Sequence, residues 1–271
     1  MKFVHLSSFG RFGLALMAAM LLMSCATVPE TGRRQLLLTS SGTEAQLGLT
    51  EFQKLKKDTP VSKDAELNAL VRRVGTRIAA VAPMPDAQWE FVVFDDAKTV
   101  NAFCLPGGKV GVYTGILKIT ADEAGMATVI GHEVSHAIAR HGGERMSEAL
   151  LIAVGGVALD QVVKDKSDVN RLAVLAAYGV GSSLAVALPH SRQQELEADH
   201  LGLIYMARAG YDPRQAVEFW RRFAAFNNKE GGSQIQFLST HPVDATRIKR
   251  LEAELPQALV EYEKSRGASR P

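Results

Sequence analysis

The run "ATVIGHEVSHAIARHGGERM" sets His132 and His136 four residues apart, with Glu133 directly behind the first. Around them Met126, Val129, Ile130, Val134, Ala137 and Ile138 keep three-and-four spacing, which predicts a helix with its apolar face in a core. Residues i and i+4 of a helix stack on one face, so both imidazoles can point at one ion. Two ligands do not hold a metal. Unless the pair is an accident of a helix surface, the chain must fold so that a distant element brings a further donor to the same point. Glu133 lies too far round the helix to be an easy third ligand. Its carboxylate can instead take a proton from a water that zinc acidifies to a pKa of about 7.

A third ligand on the same segment would need a glycine three residues beyond His136 and a histidine three further on. Those positions hold Ala139 and Gly142, and His141 is one short of the required place. A glutamate on a later helix is the other solution, and "SRQQELEAD" supplies it. Glu195 and Asp199 are i,i+4 on one helical face. Glu195 can complete a His-His-Glu site, while Asp199 accepts the free N–H of a ligand histidine and fixes its tautomer. Alone, such an acidic face is ordinary; it gains meaning because HEVSH needs a partner.

The rest of the chain reads as a frame for these two helices. Helical periodicity starts near Glu44 and resumes after Pro60 through Leu67, Leu70, Val71, Val74 and Ile78. "QWEFVVFDD" has strand composition, and Asn101 to Leu105 and Lys109 to Tyr113 form a hairpin about Pro106-Gly107-Gly108. Thr120 to Glu123 reads as a capping box for the HEVSH helix, which Gly142-Gly143 should stop. Residues 149–189 are apolar and helical in pattern, as a hairpin packed on the domain or dipping into a membrane surface. Their second half, ending before Pro189, just reaches membrane-spanning length, so a span is the rival reading. A helix from Ser191 to Gly210 carries the acidic pair. Asp212-Pro213 starts another helix, "NNKEGGSQ" is a loop, and Pro242 begins the last helix. The expected fold is mainly helical α+β.

Lys2 and Arg11 precede or flank a ten-residue apolar core, "LALMAAMLLM", too short to span a bilayer permanently and suited to a secretory signal. Apart from these two cations the chain holds 29 basic and 29 acidic side chains, without the basic excess of a nucleic-acid binder. Leu22-Met23-Ser24-Cys25 resembles a bacterial lipobox, which implies lipidation of Cys25. Ala26 in place of an aspartate implies the outer membrane. The expected organisation is a signal peptide over 1–24, a polar tether over 25–43 and a domain over 44–256 with an apolar insert at 149–189. A polar tail covers 257–271. Cys104 then stands as the second cysteine, expected to be buried and inert.

HEVSHAIARH, SRQQELEAD and STHPVDATRIKRL, with NAFCLPGG upstream, resemble the zinc metallopeptidases that include HtpX and the CAAX prenyl endopeptidases. The resemblance covers roughly Leu67 to Leu255. With a lipoprotein signal and no tetratricopeptide array after residue 255, it is nearest to the LoiP-type outer-membrane lipoproteins rather than the BepA type. It implies a zincin-like domain with a small edge-strand sheet over the active-site helix, and one zinc ion per chain. His132, His136 and Glu195 would be the ligands, Glu133 the base and Asp199 the residue orienting a ligand. His241 would lie near the metal, either donating to the oxyanion or occupying the open zinc position in a latent state. Arg247 would brace Glu195 or His241. Asn101, Ala102 and Phe103 would lie along the cleft and pair with an extended substrate. The partners implied are protein or peptide substrates of the cell envelope, misfolded or misassembled, the membrane through the N-terminal lipid, and the outer-membrane assembly machinery. A non-catalytic chaperone or assembly factor with a structural zinc site is the alternative.

The remaining histidines are expected outside the site. His141 reads as a cationic residue at a helix C-terminus, His200 as surface, His190 as part of a turn, and His5 as lost with the signal. Trp89 and Trp220 read as core.

Overall fold

Ser40 accepts a hydrogen bond from Thr43 N at 3.1 Å and opens the first long helix; Asp64 does the same for Leu67 N at 3.0 Å in the second. The computed structural model describes residues 25–182, 188–230, 237, 241 and 245–268. The signal segment, residues 183–187, the second half of the Gly-rich loop (231–234) and Pro242 lie outside the described residues. The chain runs β1 (Cys25–Thr27), β2 (Arg34–Leu36), α1 (Ser41–Asp58), α2 (Ala65–Ala79), β3 (Glu90–Phe94), β4 (Ala102–Leu105) and β5 (Lys109–Tyr113). There follow a short α3 (Leu117–Thr120), α4 (Glu123–Ile138), α5 (His141–Val163), α6 (Asp168–Ser182), α7 (Leu188–Arg208), α8 (Arg214–Glu230) and α9 (Ala245–Ala268). This is the mainly helical α+β fold expected.

The three-stranded sheet has the order β3-β5-β4, with β3 parallel and β4 antiparallel to β5. Strand alternation sends Phe94 and Phe103 to one face, against Phe52 of α1, while Val93, Val110 and Ala102 join the main core. Burying a ring such as Phe52 stabilises by roughly 1.5–3 kcal/mol. β4 is an edge strand and runs against α4. Helix α4 is buried almost all round and packs on α7. At their crossing Gly131 and Gly202 meet: a Cβ on Gly202 would stand 3.2 Å from the His132 backbone. Without side chains there, α7 comes close enough to offer its acids to α4.

Five expectations about the frame are corrected. Helix α4 is capped by Asp122, whose carboxylate accepts Gly125 N at 2.8 Å; Thr120 ends α3, and Ala121 between them takes a φ of 63°. Gly142-Gly143 does not stop that helix. The turn is made by Arg140 at φ 53°, a left-handed conformation that costs a non-glycine residue roughly 1–2 kcal/mol. Two bonds from its guanidinium to Glu44, at 2.7 and 3.1 Å, and one to Thr39 O hold it there. Gly143 lies under the Glu44 carboxylate, which leaves no room for a Cβ, so this glycine serves packing.

The segment read as a polar tether is seated on the domain. β1 and β2 pair, Val28 and Leu37 are buried, and Leu38 N donates to Ser147 Oγ at 2.8 Å. The polar tail, too, is ordered: α9 continues through Pro256 to Ala268, Ala258 is buried, and Glu261 pairs with Arg208 at 2.8 Å. The apolar stretch forms a helical hairpin of α5 and α6, tied by Arg171 to Asp160 and by Tyr178 Oη to Ile152 O. It begins at His141 instead of 149. Among the described residues the one helix long and apolar enough to cross a membrane is α5; the end of the later stretch, residues 183–187, lies outside them.

Candidate metal centre

Helix α4 presents His132, Glu133 and His136, and α7 presents Glu195 and Asp199; all five side chains are buried. His132 Nε2 and His136 Nε2 are 3.2 Å apart, and Glu195 stands 3.4 Å from each. His241 Nδ1 approaches from the far side, 3.2 Å from His132 Nε2 and 2.9 Å from Glu195 Oε2. Donors at the corners of a tetrahedron with zinc bonds of about 2.0–2.1 Å are separated by about 3.3 Å. The cluster has that spacing.

The electrostatics ask for a cation. Asp199 Oδ1 lies 3.1 Å from His132 Nδ1, at ion-pair distance and off the line of a regular hydrogen bond, and its charge favours a proton on that nitrogen. The Nε2 lone pair of His132 is thereby turned toward His136 and Glu195, and acceptors facing one another at this distance repel unless a positive charge sits among them. Burial works against charging His132, but Asp199 and Glu195 outweigh it and lift this imidazole to about 9. Burial pushes His136 well below its usual range. Glu195 is drawn up by burial and far more strongly down by its contacts with His132, His136 and His241, so it stays ionised.

Arg247, expected to brace Glu195 or His241, is buried beside Glu195. Its guanidinium grips Asp199 with two bonds of 2.7 Å, stands 3.4 Å from Glu195 and stacks 4.2 Å over the Trp220 ring. Burial alone would raise the Asp199 carboxyl; Arg247 and His132 hold it below the ordinary range. Trp220 is core, as expected, and also walls His132 at 5.4 Å. Trp89 stacks on Phe91 and His200 meets Glu254, both away from the cluster. The side chain of His190 lies outside the described residues.

Glu133 is buried beside the donors without joining them. Its Oε1 has no hydrogen-bond partner and stands 3.4 Å from His241 Nε2. Burial raises this carboxyl above its usual range, with His241 and His132 opposing. A buried carboxylate that is unsatisfied and easily protonated is suited to taking and giving a proton.

Of the residues expected along the cleft, Ala102 is buried on the core face while the Phe103 ring turns to the opposite face, against Phe52, Phe94 and Tyr113. Asn101 O accepts Tyr113 N at 3.0 Å. By antiparallel alternation Phe103 and Leu105 also bond inward to β5, leaving the backbone of Ala102 and Cys104 on the outer edge of β4. No strand pairs with that edge among the described residues. Cys104, expected to be buried, is half-buried; burial and, less, the charge of Glu133 push its thiol up, and β4 itself runs against α4, the helix of the base.

His141 corrects an expectation. It is fully buried, the first residue of α5, with Nδ1 2.8 Å from His136 Nδ1 and Nε2 3.0 Å from Glu197. It follows the left-handed turn at Arg140, which no local signal announces.

A protein-family model described as Peptidase family M48 matches residues 65–255. The chain belongs to peptidase family M48. His132, Glu133, His136, His141, Glu195, Asp199, His241 and Arg247 all fall inside the M48 match. The chain is 38% identical over 185 residues to the mitochondrial metalloendopeptidase OMA1 of Saccharomyces cerevisiae, covering 66% of this chain and 50% of that one. It is 30% identical over 268 residues to the OMA1 metalloendopeptidase of Homo sapiens, covering 95% and 50%. The beta-barrel assembly-enhancing protease of Escherichia coli is 25% identical over 232 residues, 83% of this chain and 46% of its own. The chain thus spans about half the length of these M48 relatives.

Proposed function

We propose that this chain is a zinc-dependent endopeptidase, anchored by lipid at Cys25 on the periplasmic face of a bacterial outer membrane, that cuts misfolded or misassembled envelope proteins. One observation carries the hydrolytic reading: a His-His-Glu donor cluster with an unsatisfied buried carboxylate, Glu133, beside it. A purely structural site has no use for such a base.

His132, His136 and Glu195 would hold a zinc ion, which would supply Lewis acidity to a peptide carbonyl and to the attacking water. Glu133 receives the proton of that water and passes it to the leaving amine. Asp199, braced by Arg247, keeps the His132 proton on Nδ1. The outer edge of β4 pairs with an extended substrate through Ala102 and Cys104 and aligns the scissile bond with Glu133. The position of His241 at the fourth corner supports a latched resting state, because substrate needs that corner.

The same four donors favour a second reading, a chaperone or assembly factor with a closed structural zinc site. Zinc content and casein digestion, in wild type and Glu133→Gln, separate the two. The peptidase reading expects one zinc in both and digestion only in wild type. Digestion surviving in Glu133→Gln, or absent from both, counts against it.

The address rests on the N-terminus, since relatives named above belong to mitochondria as well as to bacteria. The strand that begins at Cys25 pairs with Leu36, and Leu36 lines a groove with Leu151, Ile152 and Tyr178 of the α5–α6 hairpin. Leu150, Val154, Val157 and Leu172 of that hairpin are exposed. A lipid on Cys25 and an apolar hairpin on the same side support a membrane-facing surface. Cys25→Ser should release the protein into the soluble fraction; retention in the membrane would favour a spanning helix.

A further inference from the structure

His132 and His136 are both held from behind, but not alike. The His132 imidazole meets a carboxylate directly, Asp199, which is gripped by Arg247. The His136 imidazole meets a second imidazole, His141, and the carboxylate comes one step later, at Glu197. Glu197 is gripped in turn by Arg33 Nε at 2.8 Å and by Thr31 Oγ1 at 2.5 Å. The Arg33 fork closes on Glu144 at 2.7 and 2.8 Å, and Gln194 donates to Glu144 at 2.8 Å. Each chain ends on an arginine. Arg247 lies within the M48 match, whereas Thr31 and Arg33 lie before residue 65, in the strap that follows Cys25.

We propose that His141 is the positioning residue of His136, and that the strap carrying Thr31 and Arg33 is its outer anchor, so that the N-terminal segment is a working part of the metal centre. The proposal rests on the zinc reading given above and assigns every proton along the line. For His136 Nε2 to face a metal, its proton sits on Nδ1. That N–H donates to His141 Nδ1, which is an acceptor only if His141 carries its own proton on Nε2. The Nε2–H then donates to Glu197, whose ionised form is held by Arg33 and Thr31. Two N–H groups facing at 2.8 Å would repel, so the opposite tautomer of His141 is excluded by the geometry. His141 is fully buried, so its two ring nitrogens meet only His136 and Glu197.

The strap is well placed to matter. Thr31 and Arg33 are only a few residues from Cys25, and their partners lie more than 100 residues away in sequence. Pulling the strap off frees the Glu197 carboxylate, then the His141 ring, then the orientation of His136. Removing a partner that orients a metal-bound histidine costs roughly 10–100-fold in metal affinity.

The test is zinc competition against a chelator on the full chain, with wild type, His141→Phe, His141→Gln, Thr31→Val and Arg33→Met. His141→Phe keeps a ring but no nitrogen, and should weaken zinc binding by about 10–100-fold. His141→Gln can accept from His136 through its carbonyl and donate to Glu197 through its amide, and should recover most of that loss. Thr31→Val and Arg33→Met should each weaken zinc several-fold. Thermal unfolding of the zinc-free proteins serves as the control, since a merely structural role lowers that stability and leaves zinc affinity alone. Nitrogen-15 spectra of the histidine rings in the zinc-loaded wild type should find the proton of His136 on Nδ1 and that of His141 on Nε2. This second arm holds even if His141→Phe does not fold. Zinc affinity within twofold of wild type in the folded variants, or His141 protonated on Nδ1, overturns the proposal. Failure of wild type to bind zinc would instead bring down the zinc reading itself.

Discussion

Arg247 donates from Nε and Nη2 to the two oxygens of Asp199, each at 2.7 Å, and both side chains are buried. Arg247→Ala should therefore destabilise the fold by about 3–5 kcal/mol, because it strands a buried carboxylate, and denaturant unfolding measures this. Asp199→Asn, with a smaller effect on the fold, should weaken zinc by roughly 10–100-fold, since the amide no longer fixes the His132 proton. Equal zinc affinity in Asp199→Asn would remove Asp199 from the centre.

His241 meets the donor cluster through Nδ1 and Glu133 through Nε2. If it latches the fourth corner, His241→Ala keeps three donors and should cleave small peptides faster than wild type, with weaker zinc retention. A fall in kcat at unchanged KM would assign His241 to the oxyanion instead.

The outer edge of β4 makes a prediction with a period of two. Peptide substrates N-methylated at the residues whose amides pair with Ala102 and Cys104 should lose about fivefold in kcat/KM per bond, equivalent to about 1 kcal/mol. Methylation at the intervening positions should be neutral. A profile without alternation would show that substrates do not add to this strand.

Glu123 ties α4 to its surroundings, accepting from Arg73 at 2.6 Å and from Tyr211 at 2.9 Å. Arg73 holds its carboxyl below the ordinary 4.5, against a smaller effect of burial. A depressed carboxyl stabilises the fold above its unfolded value and ceases to do so as pH falls through its folded value. The Tm gap between wild type and Glu123→Gln should therefore be full above about pH 4.5 and shrink below it. A gap of constant size down to pH 2 would contradict the assignment.

What was legible in the sequence was what repeats locally. The apolar spacing around HEVSH, the i,i+4 pair Glu195 and Asp199, and the hairpin about Pro106-Gly107-Gly108 each signal their element within a few residues, and each element formed. What escaped depends on partners far along the chain. Arg140 adopts a left-handed turn because Glu44 and Thr39 hold it, and that turn carries His141 into the core. Residues 25–43 read as a polar tether by composition, yet Thr31 and Arg33 are bound by Glu144 and Glu197. Residues 257–271 read as a polar tail, but the contacts of Ala258 and Glu261 with the body of the domain carry the last helix on to Ala268.

The most direct test is a crystal structure of the zinc-loaded protein with the metal located by its anomalous scattering. The expected ion lies about 2.0–2.1 Å from His132 Nε2 and His136 Nε2, and about 2.0–2.2 Å from a Glu195 oxygen. An ion bound elsewhere, or one held by the two histidines with Glu195 beyond bonding distance, would contradict the assignment of this centre.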